Sequence, residues 1–240
     1  MINGWRCGRR HEWTPYSLNE MPRNASIALL AVLIASASAA PSRAQTRAVP
    51  PGYRPMPAAE AQAVRAVLQG YFAAVLRRDG AAATQAVTRE TRAYYARMRD
   101  LALTAPEGQV RALPLMDRMS VLMYRHRVPA DVLRTLAGDA SFAHTVSEGW
   151  VARTVSGQPS PTAAVFDSGD RAILREDGMD LRMVREEGAW RWDMMPVIRA
   201  ASAQFAAILP AGMTENEFIL FVLRDATGRP ASPTVWQPVQ

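Results

Sequence analysis

Cysteine, histidine and lysine are scarce in this chain, and their scarcity limits its chemistry. The 240 residues include one cysteine, three histidines and no lysine, so all 28 basic residues are arginine. The cysteine is Cys7, and the rest of the chain therefore contains no disulfide, thiol nucleophile or Cys-ligated metal site. The Gly-rich phosphate loop and the motifs Gly-x-Ser-x-Gly and His-Glu-x-x-His are also absent. Several common catalytic chemistries are excluded in this way.

Positive charge is present but is not concentrated. The formal net charge is +6, and residues 1–44 contribute five arginines against two acidic residues. The remaining chain has 23 arginines and 20 acidic residues, which leaves a net charge of +3. Arginines stand directly beside acids, as in 175–177 and 185–187. Because nucleic-acid binders usually gather basic residues on one face, we expect no nucleic-acid partner.

Residues 21–44 have the three-part layout of a secretory signal peptide. A short basic segment, 21–24, precedes the apolar run IALLAVLIA at 27–35, and small residues follow. The favoured cleavage site follows Ala44, and a site after Ala37 is the alternative. The apolar run is short for a spanning helix, which needs about 20 residues, although an uncleaved anchor is an alternative. We expect an exported bacterial protein, periplasmic or secreted, with no stable membrane insertion after cleavage.

The sequence outside the signal peptide divides into three parts. Residues 1–20 are polar and aperiodic, and we interpret them as a non-structural extension or a mis-assigned start, with translation beginning at Met21. Residues 45–57 carry four prolines and are interpreted as an extended linker. Residues 58–240 are expected to form a single α+β domain.

Helical periodicity dominates the first half of this domain. Apolar residues recur at the helical period from Val64 to Leu76 and predict one long helix. Asp79-Gly80 is predicted to end it, with Gly80 as the left-handed cap. Further helices are predicted over 81–87, from Thr88 to about Leu103, in broken form over 107–150, from Pro196, and after the capping box that begins at Thr214. For 218–223 (FILFVL) a strand is the alternative, and the tail that follows is expected to be extended.

Four short runs between 162 and 195 predict an antiparallel four-stranded meander. They are separated by Ser168-Gly169, Asp177-Gly178 and Glu187-Gly188, which are typical of two-residue hairpin turns. These turns pair Arg175 with Asp180, Leu174 with Leu181, Arg182 with Asp193, Met183 with Trp192 and Leu181 with Met194. One face then gathers the apolar residues Val165, Ala172, Leu174, Leu181, Met183, Trp192 and Met194, and the other face gathers paired charges.

Two stretches resemble the nuclear-transport-factor-2-like superfamily. YFAAVLRRDGAAATQAVTRET (71–91) is similar to its opening, a long helix that ends in a turn before a short helix. VREEGAWRWDMM (184–195) is similar to its late hairpin. The resemblance covers about a third of the mature chain. It implies an α+β cone in which N-terminal helices pack on a curved antiparallel sheet (162–195) around a pocket, with additional helices before and after the sheet.

A pocket inside the cone is therefore the binding site that we expect. Members of the superfamily include isomerases, cyclases, dehydratases and non-catalytic binders, so the resemblance implies a pocket and not a reaction. Methionine side chains would let such a pocket adapt to its ligand, although the commoner meaning of these residues is plain core. The candidate pocket residues are Tyr71, Tyr95, Met116, Met119, Met183 and Trp192.

No residue is predicted to be catalytic, and no metal or cofactor is expected. His144 and Glu148 have i, i+4 spacing, but a metal site needs at least one further ligand. His126 stands between two arginines and is expected at an exposed helix end. Asp180 and Asp193 are expected to face away from the apolar side and to pair with arginine, whereas isomerases of similar fold use a carboxylate base in an apolar site.

Together these observations favour an exported, non-catalytic protein that binds a small apolar ligand or acts as an envelope adaptor. An isomerase or hydrolyase that uses a carboxylate in the cone is one alternative. A structural module is the other, a homodimer formed through the charged face of the sheet or through helix 218–223.

The signal-peptide interpretation predicts where the mature chain starts. N-terminal sequencing of the exported protein is expected to begin between Ser38 and Thr46, because the two candidate cleavage sites give starts at Ser38 and Gln45. A start near Met1 would contradict the interpretation.

Overall fold

The computed structural model describes residues 54–151, 163–166, 169–176, 179–207 and 209–239. These residues form a mixed structure of helices and an antiparallel sheet, which confirms the predicted class. The predicted signal peptide and the stretch before it lie outside the described residues. None of the helices in the described ranges has the length and apolarity to span a bilayer.

The described part of the chain combines helices with one continuous sheet. The helices are α1 Ala58–Leu76, α2 Gly80–Ala86, α3 Arg89–Thr104, α4 Glu107–Arg111, α5 Leu115–Arg127, α6 Ala130–Thr135, α7 Asp139–Ser147, α8 Met195–Ala207 and α9 Glu215–Thr227, followed by a 3₁₀ helix at Pro233–Trp236. The strands are β1 Arg54–Pro55, β2 Ala163–Phe166, β3 Arg171–Glu176, β4 Met179–Glu186 and β5 Ala189–Asp193, in the order β1-β2-β3-β4-β5. The end of the predicted linker thus contributes an edge strand.

Strands β3, β4 and β5 pair in the predicted register. The structure pairs Leu174 with Leu181 and Arg175 with Asp180, and it pairs Met183 with Trp192 and Arg182 with Asp193. Glu187 and Gly188 have φ angles of 53° and 80°, the two positive values that a type I′ hairpin turn needs. The Asp177-Gly178 turn lies outside the described residues, but Glu176 pairs with Met179 directly across it.

The predicted pairing of β2 with β3 is wrong by one residue. Val165 pairs with Ile173 and not with Ala172. By its register, Val165 therefore belongs to the other face of the sheet and not to the predicted apolar face. In a two-residue turn at Ser168-Gly169, the backbone N–H and C=O of Asp170 would have to form hydrogen bonds with β2. The Asp170 carbonyl instead accepts the N–H of Arg185 on β4 at 2.8 Å, which extends β3 at its start and lengthens the connection.

Gly80 has a different role from the predicted helix cap. The left-handed residue after α1 is Arg78, with φ of 57°, and Gly80 is the first residue of α2. The Asp79 side chain caps α2 by accepting the N–H of Ala82 at 2.9 Å. Any Cβ on Gly80 would collide with the backbone carbonyl of Ala143 on α7. Glycine is therefore needed for close helix packing at this position.

Two apolar clusters fill the interior. The first lies between α1, α7 and the sheet, and its fully buried members include Val64, Leu68, Tyr71, Phe142, Leu174, Met183 and Trp192. The second joins α3, α5, α8, α9 and the C-terminal residues, and includes Met98, Leu122, Phe205, Ile219 and Trp236. The 218–223 segment is helical, as predicted, and its capping box of Thr214 and Glu217 is present.

The prediction of an extended C-terminal tail is wrong in part, because Arg125 holds the C-terminal residues against α3. Its guanidinium donates to four carbonyls at 2.5–3.1 Å, and these belong to Leu101, Ala102, Ala105 and Trp236. Burial lowers the pKa of Arg125 to about 10. The segment Pro233–Trp236 adopts a 3₁₀ turn there, and the side chains of Val235 and Trp236 are buried.

The contact between Gly80 and α7 gives a stability prediction. Gly80→Ala is expected to lower the free energy of unfolding by about 1–3 kcal/mol, because the added methyl group must push α2 away from α7. Gly70→Ala is the matched control, since Gly70 lies within α1 with no atom within 4 Å of the added carbon. This control is expected to be neutral or stabilising by up to about 1 kcal/mol. Urea denaturation measures both, and equal effects would contradict the packing argument.

Candidate functional site

The candidate site is the interior region where α1, α3 and β5 meet, and we call its residues Tyr71, Tyr95 and Trp192 the interior site. Tyr71 lies on the apolar stripe of α1, and its ring meets the Trp192 ring edge-on with centroids 4.8 Å apart. The backbone of Trp192 is fixed as well, because its carbonyl accepts the N–H of Thr88 at 3.1 Å. The chain segment between α2 and α3 therefore closes this side of the sheet.

Two hydrogen-bond donors of the interior site have no acceptor. The Tyr71 hydroxyl and the Trp192 indole N–H are buried and lack a partner in the described part of the chain. Their residues are only 1% and 2% exposed, so bulk water does not compensate them. An unsatisfied buried group of this kind costs about 1–3 kcal/mol. Burial, and secondarily the neighbouring Tyr95, also raise the pKa of Tyr71 well above its usual value, so the hydroxyl keeps its proton.

Tyr95 connects the interior site to the surface. It is half-buried and packs against both apolar clusters, with its ring 5.0 Å from that of Phe142 and 5.3 Å from that of Tyr94. Burial raises the pKa of Tyr95 to about 12. Tyr95 therefore lies at the seam between the two clusters.

The structure unites some of the predicted pocket residues and separates others. Tyr71, Met183 and Trp192 belong to the first cluster, and Met183 is fully buried there. Met119 belongs to the second cluster, with Met116 packed half-buried beside it. Tyr95 touches both. The sequence pattern identified apolar positions correctly, but periodicity alone carries no information on which of two clusters a helix joins.

Two carboxylates beside the sheet, those of Asp193 and Glu60, are engaged in hydrogen bonds and ion pairs. Asp193 was expected on an exposed face, yet it is 3% exposed because α8 begins beside it. Its carboxylate forms the predicted ion pair with Arg182 at 3.4 Å and also accepts the Met195 N–H at 2.9 Å. Glu60 on α1 accepts from the Trp190 indole at 2.9 Å and from Arg185 at 2.7 Å. In the described ranges, no buried carboxylate oxygen lacks a hydrogen-bond partner.

The two histidines that the structure describes occupy unlike environments. His126 was predicted at an exposed helix end, but it is part-buried and lies 2.8 Å from the Thr227 hydroxyl, because α9 packs against α5. His144 lies on α7 beside Trp150, with ring centroids 5.4 Å apart. No group of three or more metal-binding side chains is present in the described residues. Sequence reasoning missed Trp150 as a neighbour of His144, although Gly149 signalled the turn that places it there.

An open depression on the surface is lined by Arg89, Glu90, Ala93, Glu186 and Glu187, with a volume of about 520 Å³. Glu186 already occupies its polar end, where both carboxylate oxygens accept the N–H of Arg89 at 3.0–3.1 Å. None of the predicted pocket residues lines it. The depression is therefore a charged surface feature, separate from the interior site.

Comparison with protein-family models, with curated proteins and with solved structures finds no match for this chain.

The unpartnered hydroxyl of Tyr71 gives the second stability prediction. Tyr71→Phe is expected to raise the free energy of unfolding by about 1 kcal/mol, because it removes a buried donor that has no acceptor. Tyr124→Phe is the matched control, since the buried Tyr124 hydroxyl donates to the Ser141 carbonyl at 2.9 Å. This control is expected to lower the free energy of unfolding by about 1 kcal/mol. Chemical denaturation measures both free energies of unfolding. A Tyr71→Phe variant less stable than wild type would show that the Tyr71 hydroxyl has a hydrogen-bond partner.

Proposed function

We propose that this chain is an exported, non-catalytic protein of the nuclear-transport-factor-2-like type that binds a small apolar ligand at the interior site. The observation that carries the proposal is the pair of buried, unpartnered donors on Tyr71 and Trp192. A ligand with an apolar body and acceptor oxygens would satisfy these donors and suit the apolar side chains around them. Binding of this ligand would remove an energetic penalty that the free protein carries.

The surroundings of the donors support a mainly apolar ligand. Trp192 and Tyr71 contact Phe72, with ring centroids 5.8 Å and 5.4 Å from its ring. Met183 pairs with Trp192 across the sheet, and Met194 belongs to the same cluster. Methionine side chains repack at low cost, so these two residues are suited to making room for a guest.

The seam at Tyr95 supports a route of entry. Tyr95 is the half-buried member of the interior site and packs against both clusters, so we infer that the ligand enters when Tyr95 changes its rotamer. We further propose that the fold is a cone, in which the long helix α1 lies against the antiparallel sheet.

The state of the acidic groups supports a non-catalytic role. Proton abstraction in an apolar site needs a carboxylate that faces the ligand. Asp193 and Glu60 are instead held by hydrogen bonds and ion pairs to Arg182, Arg185 and neighbouring N–H groups. The tyrosines keep their protons because burial raises the pKa of Tyr71 and Tyr95. The site therefore offers donors for binding and lacks a base.

Native mass spectrometry of protein purified from its export compartment tests the proposal. We expect a copurifying lipid-like ligand with wild type and a clear loss of ligand occupancy with Tyr71→Phe, because the variant removes one of the two donors. Tyr124→Phe is the control and is expected to keep its ligand, since the Tyr124 hydroxyl is bonded to Ser141.

Two outcomes would contradict the proposal. Ligand-free dimers would favour the structural role, and equal ligand occupancy in both variants would place the ligand elsewhere on the protein.

A further inference from the structure

Three side chains with unused donors converge on the face of the molecule where α5 ends and α7 ends. We call Arg127, His144 and Trp150 the Trp150 cluster. The Arg127 guanidinium carbon lies 4.9 Å from the Trp150 ring centroid, and the His144 ring stands edge-on at 5.4 Å with an interplanar angle of 86°. The Tyr124 ring supports the indole from another side at 5.3 Å. Trp150 is thus held between a cation and two rings.

None of the three members uses its donors in the described part of the chain. The Trp150 indole N–H is buried and has no acceptor. Arg127 is half-buried, yet neither a hydrogen bond nor an ion pair to it is present within the described residues. His144 is half-buried and contacts Trp150 through its ring alone. A guanidinium has five N–H donors, so this cluster holds a large unmet capacity to donate hydrogen bonds.

The electrostatics of the cluster favour an anion over a cation. Sequence spacing raised the hypothesis of a metal at His144 and Glu148, but the Arg127 charge beside His144 repels a metal ion. Burial lowers the pKa of His144, and Arg127 adds to this effect while Glu148 opposes it. Burial also lowers the pKa of Arg127. The exposed Glu148 lies near both groups, and its charge opposes the lowering of both pKa values.

We propose that the Trp150 cluster binds an oxyanion, either a carboxylate or a phosphate, through the Arg127 guanidinium and the Trp150 indole N–H. The guanidinium carbon of Arg127 lies 4.9 Å from the Trp150 ring centroid, so an oxyanion bound by Arg127 would lie close to the unpartnered indole N–H. Charge-assisted hydrogen bonds of this kind are stronger than neutral ones, and the partial burial of Arg127 protects them from screening by salt. This site is separate from the interior site and does not depend on the function proposed above.

The test is a titration of the full mature chain with inorganic phosphate and, separately, with acetate. The Trp150 indole N–H resonance, assigned by its loss in Trp150→Phe, is expected to shift saturably with at least one of the two anions. Arg127→Gln is expected to weaken that binding by about tenfold or more, since it removes the only full positive charge in the cluster. Arg134→Gln removes the same charge from an exposed position on α6 and is expected to change binding less than about twofold.

A second variant keeps the proposal testable if Arg127→Gln fails to fold. Glu148→Gln removes a nearby negative charge from an exposed side chain, and it is expected to strengthen oxyanion binding about two- to threefold. A response to phosphate alone would assign phosphate groups, and a response to acetate alone would assign carboxylates. An indole resonance that ignores both anions, or equal weakening in Arg127→Gln and Arg134→Gln, would overturn the proposal.

Discussion

Trp192 is the residue on which the rest of the structure depends. Its backbone belongs to β5, its carbonyl accepts the Thr88 N–H at 3.1 Å, and its ring packs on Tyr71. One residue therefore ties the sheet to the long helix and to the connection between α2 and α3. Trp192 pairs with Met183 on β4, and side chains paired across neighbouring strands lie on the same face of the sheet. The pleat of the sheet therefore fixes the direction of the Trp192 ring. A register slip of one residue would turn the ring outward and separate all three elements.

The second cluster is stabilised by a different means. Arg125 donates to backbone carbonyls at the end of α3 and in the C-terminal 3₁₀ helix, and among the described residues no carboxylate pairs with it. Carbonyls at a helix C-terminus carry partial negative charge, so a cation is favoured there. Arg111 stacks on Trp236 at 4.1 Å and closes the outer side. The helices after the sheet thus join the second apolar cluster, which these polar contacts reinforce. Among the described residues, Tyr95 and Ile198 are partly buried side chains that pack against both clusters.

Short-range signals made much of this fold predictable from the sequence. Asp-Gly and Glu-Gly turns set the register of β3, β4 and β5, and the Thr214 capping box distinguished a helix from a strand at 218–223. The errors come from packing between secondary-structure elements, which local sequence patterns do not record. Gly80 is needed for its approach to α7, and Asp193 is buried because α8 begins beside it. The candidate site depended on the same kind of information. Tyr71 and Trp192 were expected together, but their unpaired donors are visible only in three dimensions.

The buried polar atoms without hydrogen-bond partners share one property, which relates the arginine-rich composition to the interior site and the Trp150 cluster. The buried side-chain atoms without partners in the described ranges can all donate hydrogen bonds, and they belong to Arg65, Tyr71, Arg92, Arg118, Ser141, Trp150, Arg185 and Trp192. No carboxylate oxygen is among them. A chain whose basic residues are all arginine carries five donors on each, and several of its acids already accept in ion pairs and helix caps. The interior is therefore short of acceptors. A ligand that is to satisfy these unpaired donors must therefore supply acceptor oxygens of its own. This holds for the interior site and for the Trp150 cluster.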